Sequence, residues 1–238
     1  MSNVNEILFR NNNMINIDAI KSMAIEEVIK REFGTTQQYL DVHSIVHEYG
    51  KPSIEIVDAL SREDTVAVYF PVVGERFFFA VYIRQVQQEA RVVATSMEPG
   101  SRVYLRAISD EPSLQDLIQG HSPRPTRQWG KGDYWTNQSG IKTRRRYQNS
   151  GFDIDLALSN AIDYHEKIKT LMNAIEPYED WLAEVCRRAD VFIETVLYLH
   201  FGNGNLTGLY LDRDEIRRMS KLHLSMDFDV YVGGNPLH

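Results

Sequence analysis

The sequence predicts an α+β fold: mostly antiparallel sheet, helices packed on one face, and two α+β halves. Three observations predict it. Strand-like runs cluster early, at 65–70, 76–83, 89–95 and 101–108, separated by Pro71, Gly74 and a polar stretch at 85–88. Such short spacing is the mark of an antiparallel meander. Helical periodicity is confined to a few blocks that do not alternate regularly with strands, which argues against a doubly wound α/β sheet. A chain of 238 residues, 43% apolar and 25% charged, is long enough for a substantial core and ordinary in composition.

Each element has its own reason. Ile17, Ile20, Ala24, Val28 and Ile29 recur at helical spacing, so a helix is expected over 17–33 with Gly34 as its stop. The stretch 37–50 is mixed, and Pro52 precedes a strand-like 53–57. In 101–108, Val103, Leu105 and Ala107 alternate with Arg102, Tyr104 and Arg106, giving one buried and one polar face. A short helix is expected at 112–118, a Pro, Gly, Arg and Trp-rich loop at 120–140, a basic strand at 142–147, and a strand at 152–156. Helices at 159–175 and 178–189 are split near Pro177. Residues 191–200 read as a strand, 201–205 as a turn, and 208–211 as a short strand. Asp212 and Glu215 form a capping box for a helix ending at Leu222, and 224–232 is a closing strand. A boundary is expected near residue 100, dividing the chain into 1–100 and 101–238.

Charge is uneven. The net charge is −7, yet residues 101–150 carry nine Lys/Arg against four Asp/Glu. An acidic balance argues against a general nucleic-acid binder. The single cysteine, Cys186, excludes an intrachain disulfide and reads as a small hydrophobe in a helix. Residues 1–6 lack a basic then apolar leader, and no apolar run is long enough to span a bilayer, so a cytoplasmic, non-membrane protein is expected.

Candidate chemistry is sparse. The closing strand puts Asp227 and Asp229 on one face, which could serve an acid pair or half a metal site, or could simply be a solvated face paired with Arg144–Arg146. His43 and His47 stand at i, i+4, and His165 precedes Glu166, but no HExxH motif occurs. Phosphate-cradling GxGxxG, GxSxG and CxxC patterns are missing from the sequence, so neither a cofactor nor a nucleophilic mechanism is expected. What stands out is a basic-aromatic segment: Trp129, Lys131, Tyr134, Trp135, Arg144, Arg145 and Arg146. Trp, Tyr and Arg concentrate binding energy at protein interfaces. The same composition also suits single-stranded nucleic acid, or a structural loop whose tryptophan plugs the core. Trp129 is the residue expected to be buried.

Residues 102–232 resemble the bacterial family catalogued as domain of unknown function 4279. The resemblance runs through the strand at 103–108, the short helix before Pro125, the loop Trp129-Gly-Lys-Gly-Asp133, the arginine/Tyr147 strand leading to Gly151-Phe152, the helix pair split at Glu176-Pro177, and the strand Leu224-Ser-Met-Asp-Phe-Asp-Val-Tyr231. Phe152 departs from it, since many relatives are expected to carry tryptophan there. The resemblance implies a small cytoplasmic protein, encoded in many cases beside polymorphic toxins and suspected to be an immunity protein with a cognate toxin as partner. The residues leave three readings: that binding protein, a single-stranded nucleic-acid or regulatory module using 124–147, and a metal-dependent hydrolase using Asp227, Asp229 and histidines. They leave homo-oligomerisation open.

Overall fold

The structure is a computed structural model that describes residues 16–60, 65–86, 89–110, 113–118, 123–136, 141–202 and 209–237. The expected leaderless start, residues 203–205 of the expected turn and Gly208 of the expected short strand lie outside them.

The first half starts with α1 (Ile17–Lys30). The Asn16 side chain caps it by accepting from the Asp18 amide at 2.9 Å. Ile20, Ala24 and Val28 bury its apolar stripe. The helix stops earlier than expected, because Arg31 takes a left-handed φ of 55°. Gly34 is therefore not a stop: it opens α2 (Gly34–Val42). The buried Glu27 carboxylate joins the two helices, accepting from the Phe33 amide at 3.1 Å and the Thr36 hydroxyl at 2.5 Å. A tight hairpin follows, β1 (His47–Glu48) and β2 (Lys51–Pro52), turned by Tyr49 and Gly50 at positive φ. Since α2 ends at Val42, His43 and His47 do not share a helical face.

Four antiparallel strands come next: β3 (Ile56–Leu60), β4 (Thr65–Pro71), β5 (Phe78–Val86) and β6 (Glu89–Glu98), in spatial order β3-β4-β5-β6. The strand expected at 53–57 begins only at Ile56. Val66, Val68, Phe70, Phe79, Val81, Ile83 and Met97 pack beneath α1 and α2. The opposite face carries Tyr69, Phe78, Ala80 and Tyr82.

The second sheet opens one residue later with β7 (Gly100–Ser109). In chain order it is followed by α3 (Leu114–Leu117), β8 (Arg127–Trp129), β9 (Tyr134–Thr136), β10 (Lys142–Arg146), β11 (Ser150–Asp155), α4 (Tyr164–Ile175), a 3-10 turn (Glu176–Tyr178), α5 (Glu179–Arg188), β12 (Asp190–His200), α6 (Arg213–Lys221) and β13 (Ser225–Gly233). The order is β13-β12-β7-β11-β8, while β9 and β10 form a ribbon of their own. Helices lie on one face, where Leu105, Phe152, Ile154 and Ile193 meet Ile168, Leu171, Met172 and Leu182. Each such side chain, fully buried, contributes roughly 1.5–3 kcal/mol. Phe152 is fully buried against Trp181.

Four expectations are corrected here. The stretch 120–140 is not all loop, since β8 and β9 fall within it. α4 starts at Tyr164 rather than Ser159, because Asp163 caps it, accepting from the His165 amide at 2.9 Å. Leu209–Leu211 is not a strand. The closing strand pairs with β12 in parallel, so β12-α6-β13 is one βαβ unit in an otherwise antiparallel fold. The capping box is present: Asp212 accepts from the Asp214 and Glu215 amides, and Glu215 accepts from the Asp212 amide, all at 2.8 Å.

The halves meet through Arg76 and the Tyr198 hydroxyl at 2.5 Å, Ser159 and Glu55 at 2.6 Å, and a buried histidine pair. His43 Nε2 lies 3.0 Å from His200 Nε2. The Asn235 amide also donates to His43 Nε2, at 3.3 Å, and the Gly202 amide donates to His200 Nδ1, at 3.1 Å. These contacts assign the proton between the rings to His200 Nε2 and require both rings to be neutral. Burial lowers both pKa values, and the neighbouring ring lowers that of His200 further. An unfolded chain therefore takes up protons near the usual histidine value, while the fold resists until lower pH. Stability is full above about 6.5 and is lost as pH falls through the lowered folded values. Urea midpoints measured from pH 7.5 to 5.5 should drop in the wild type and drop less in His43→Leu; parallel curves would refute this. Among the described residues no helix is long and apolar enough to cross a membrane.

Candidate protein-binding surface

The face of the second sheet away from its helices is polar. Cross-strand register aligns Asp227, Glu194 and Tyr104, then Arg106 with Asp153, and Asp153 with Arg127. Arg106 forks onto Asp153, donating from Nε at 2.8 Å and from a terminal nitrogen at 3.1 Å. Its other terminal nitrogen reaches Glu194 at 3.3 Å. Arg102 donates to Asp155 at 2.6 Å. Tyr104 is buried between the two guanidinium groups, 4.6 and 4.9 Å from its ring centre. Burial alone would lower the Arg106 pKa, but the hydrogen bonds and charge of Asp153 reverse that and raise it. Glu194 is pushed up, first by burial and then by Asp229 and Asp227, with Arg106 opposing. This ladder was signalled by arginine alternation in 102–106 and aspartate alternation in 153–155, though only the register joins them.

The ladder ends at Trp129, which is buried as expected, with 6% exposure. Its indole donates to Asn149 at 3.1 Å and stacks on Tyr147 at 5.3 Å. Arg127 also lies over the indole, 5.5 Å from its ring centre, and donates to the Tyr147 hydroxyl at 2.5 Å. Trp129 is thus a plug, and only the rest of the basic-aromatic segment remains for a partner. Lys131 is drawn down too, donating to the Asp110 carbonyl at 3.1 Å.

From this base the ribbon projects. The Gly132 amide donates to Tyr147 O and the Tyr147 amide to Asp133 O, both at 2.9 Å, closing the ribbon's foot. Arg146 donates to Gly132 O at 2.9 Å and to the Tyr134 hydroxyl at 2.7 Å, and its guanidinium stacks on the Tyr134 ring at 4.1 Å. Tyr134 and Trp135 remain 45% and 41% exposed. Arg144 and Arg145 are exposed, and no carboxylate among the described residues lies within ion-pair distance of either. Two of the seven predicted residues therefore build the base and five share the ribbon.

The remaining candidates separate. β13 pairs with β12 and β10 with β9, so Asp227 and Asp229 do not meet Arg144–Arg146. Among the described residues no group of three His, Cys, Asp or Glu is placed to hold a metal ion. His165 lies 3.0 Å from the buried Glu215 of the capping box. Cys186 is half-buried against the Leu222 and His223 carbonyls, and burial raises its thiol pKa.

The family model of a domain of unknown function, DUF4279, matches residues 99–233, from just before β7 to the end of β13. The chain belongs to the DUF4279 family. The DUF4279 region is thus the five-stranded sheet with its helices and ribbon, and the first sheet lies ahead of it. Comparison with curated proteins and with solved structures found no match.

Proposed function

We propose that this DUF4279 protein is a non-enzymatic, cytoplasmic binding protein of the immunity type, which neutralises a bacterial toxin by direct contact through the β9–β10 ribbon. One observation carries the reading: exposed Trp135 and Tyr134 stand beside Arg144 and Arg145 on a ribbon anchored at its foot. Rigid aromatics with arginine are the side chains in which interface energy concentrates. Fixing them beforehand reduces the ordering cost of association. The unmatched arginines favour an acidic patch on the partner and faster encounter at low salt. The toxin as partner follows from what the family resemblance implies.

Co-expression with the product of a neighbouring toxin gene tests this. The wild type should co-purify with that product and restore growth. Trp135→Ala should weaken binding by about 2 kcal/mol, roughly thirtyfold, with an unchanged melting temperature. The double variant Arg144→Ala with Arg145→Ala should weaken it further and flatten its salt dependence. Neither co-purification nor rescue by the wild type would sink the proposal. The same ribbon composition motivates a second reading, single-stranded nucleic-acid binding. The net charge of −7 opposes it. Salt-dependent oligonucleotide binding lost in that double variant would replace the first reading with this one.

A further inference from the structure

A cavity of about 550 Å³ opens where the uncovered face of the first sheet meets the second half, a volume in the range of small-molecule sites. Tyr69 and Tyr82 from β4 and β5 line it, together with Leu197 and Leu199 of β12 and Val230 of β13. Three carboxylates, Asp58, Glu98 and Asp163, also line it, and its described lining contains no Lys, Arg or His. Lys167 stands against this lining: its ammonium donates to the carbonyl and hydroxyl of Ser101, and Asp163 lies within range of its charge.

Tyr69 gives the cavity a direction. It is only 9% exposed and it lines the cavity. Burial, followed by Glu98, Asp58 and Asp163, raises the Tyr69 pKa, so its phenol stays neutral and keeps a lone pair to accept from a donor.

We propose that this cavity binds a small hydrophobic amine, its ammonium group among Asp58, Glu98, Asp163 and Tyr69, its apolar part on Leu197, Leu199 and Val230. An ammonium would donate to the carboxylates and the Tyr69 oxygen, and would lie against electron-rich aromatic faces. A carboxylate ligand of the same shape would meet three like charges. A neutral ligand would lack the charge attraction and gain apolar burial with at most a neutral hydrogen bond. This site is separate from the ribbon, so its failure leaves the ribbon reading standing.

Calorimetric titration of the full chain at pH 7 tests it, with tryptamine and hexylamine as amine probes, and indole-3-propanol and indole-3-propionate as neutral and anionic counterparts. Tryptamine should bind at least about tenfold tighter than the alcohol, and the propionate should not bind. Glu98→Gln and Tyr69→Phe should each weaken tryptamine several-fold and leave the alcohol unchanged. Asp163→Asn should do the same while keeping α4 capped, since asparagine caps as well as aspartate. No binding of either amine would overturn the proposal. So would equal binding of amine and alcohol, or unchanged amine affinity in folded variants.

Discussion

Asp153→Ala is expected to destabilise the fold by about 3 kcal/mol, measured as a fall in the urea midpoint without a change in slope. Asp153 is 1% exposed and takes both fork hydrogen bonds of Arg106, whose side chain is 22% exposed. Removing the carboxylate leaves a half-buried guanidinium with Glu194 at 3.3 Å as its remaining carboxylate partner. Breaking one side of such a pair costs more than the pair is worth, because the orphaned charge stays desolvated. The slight exposure of Arg106 lets water offset part of that, which places the estimate at the low end of the usual range. Asp153→Asn should cost less, since it keeps one acceptor. The double variant Arg106→Met with Asp153→Leu should recover much of the loss, because it removes both charges and keeps volume. A midpoint for Asp153→Ala within error of the wild type would show that the ladder contributes little.

The sequence made the elements of this fold legible where local rules act. Alternation placed the strands, and the capping box placed the start of α6. Local rules failed where something distant decides. Gly34 looked like a helix stop, but Arg31 accepted a left-handed conformation while Glu27 bridged α1 to α2. The direction of β13 was present in outline, since two apolar strands flank a capped helix, yet parallel pairing is a tertiary outcome. The histidine pair joins residues 157 positions apart, and no spacing rule reaches that far. The cavity draws its lining from residues 58 to 230, each of which reads singly as part of a strand, a helix or a loop. The basic and aromatic residues of the ribbon stood out in the composition, but β9 lies in a stretch that reads as loop, and its pairing with β10 is a tertiary outcome. Trp129 and Lys131 had to be separated from it by the contacts that bury or engage them.

Gly151→Ala should produce a second large loss, at or above the upper end of the 1–3 kcal/mol common for overpacking. A Cβ on Gly151 would stand 2.5 Å from the Ala107 carbonyl oxygen of β7 and 2.5 Å from the Trp129 ring. The first obstacle is backbone in the neighbouring strand and cannot swing aside. The second is the plug on which the ribbon rests. Two strands must therefore part or Trp129 must leave its stack with Tyr147, and a displaced indole should show a red-shifted fluorescence. This variant also separates scaffold from surface. If the ribbon's foot depends on Trp129, Gly151→Ala should weaken partner binding together with stability, whereas Trp135→Ala should weaken binding alone. Gly151→Ala that melts like the wild type with unshifted emission would mean the strands tolerate the methyl, and the ribbon would then owe its position to its own hydrogen bonds at Gly132, Asp133 and Tyr147.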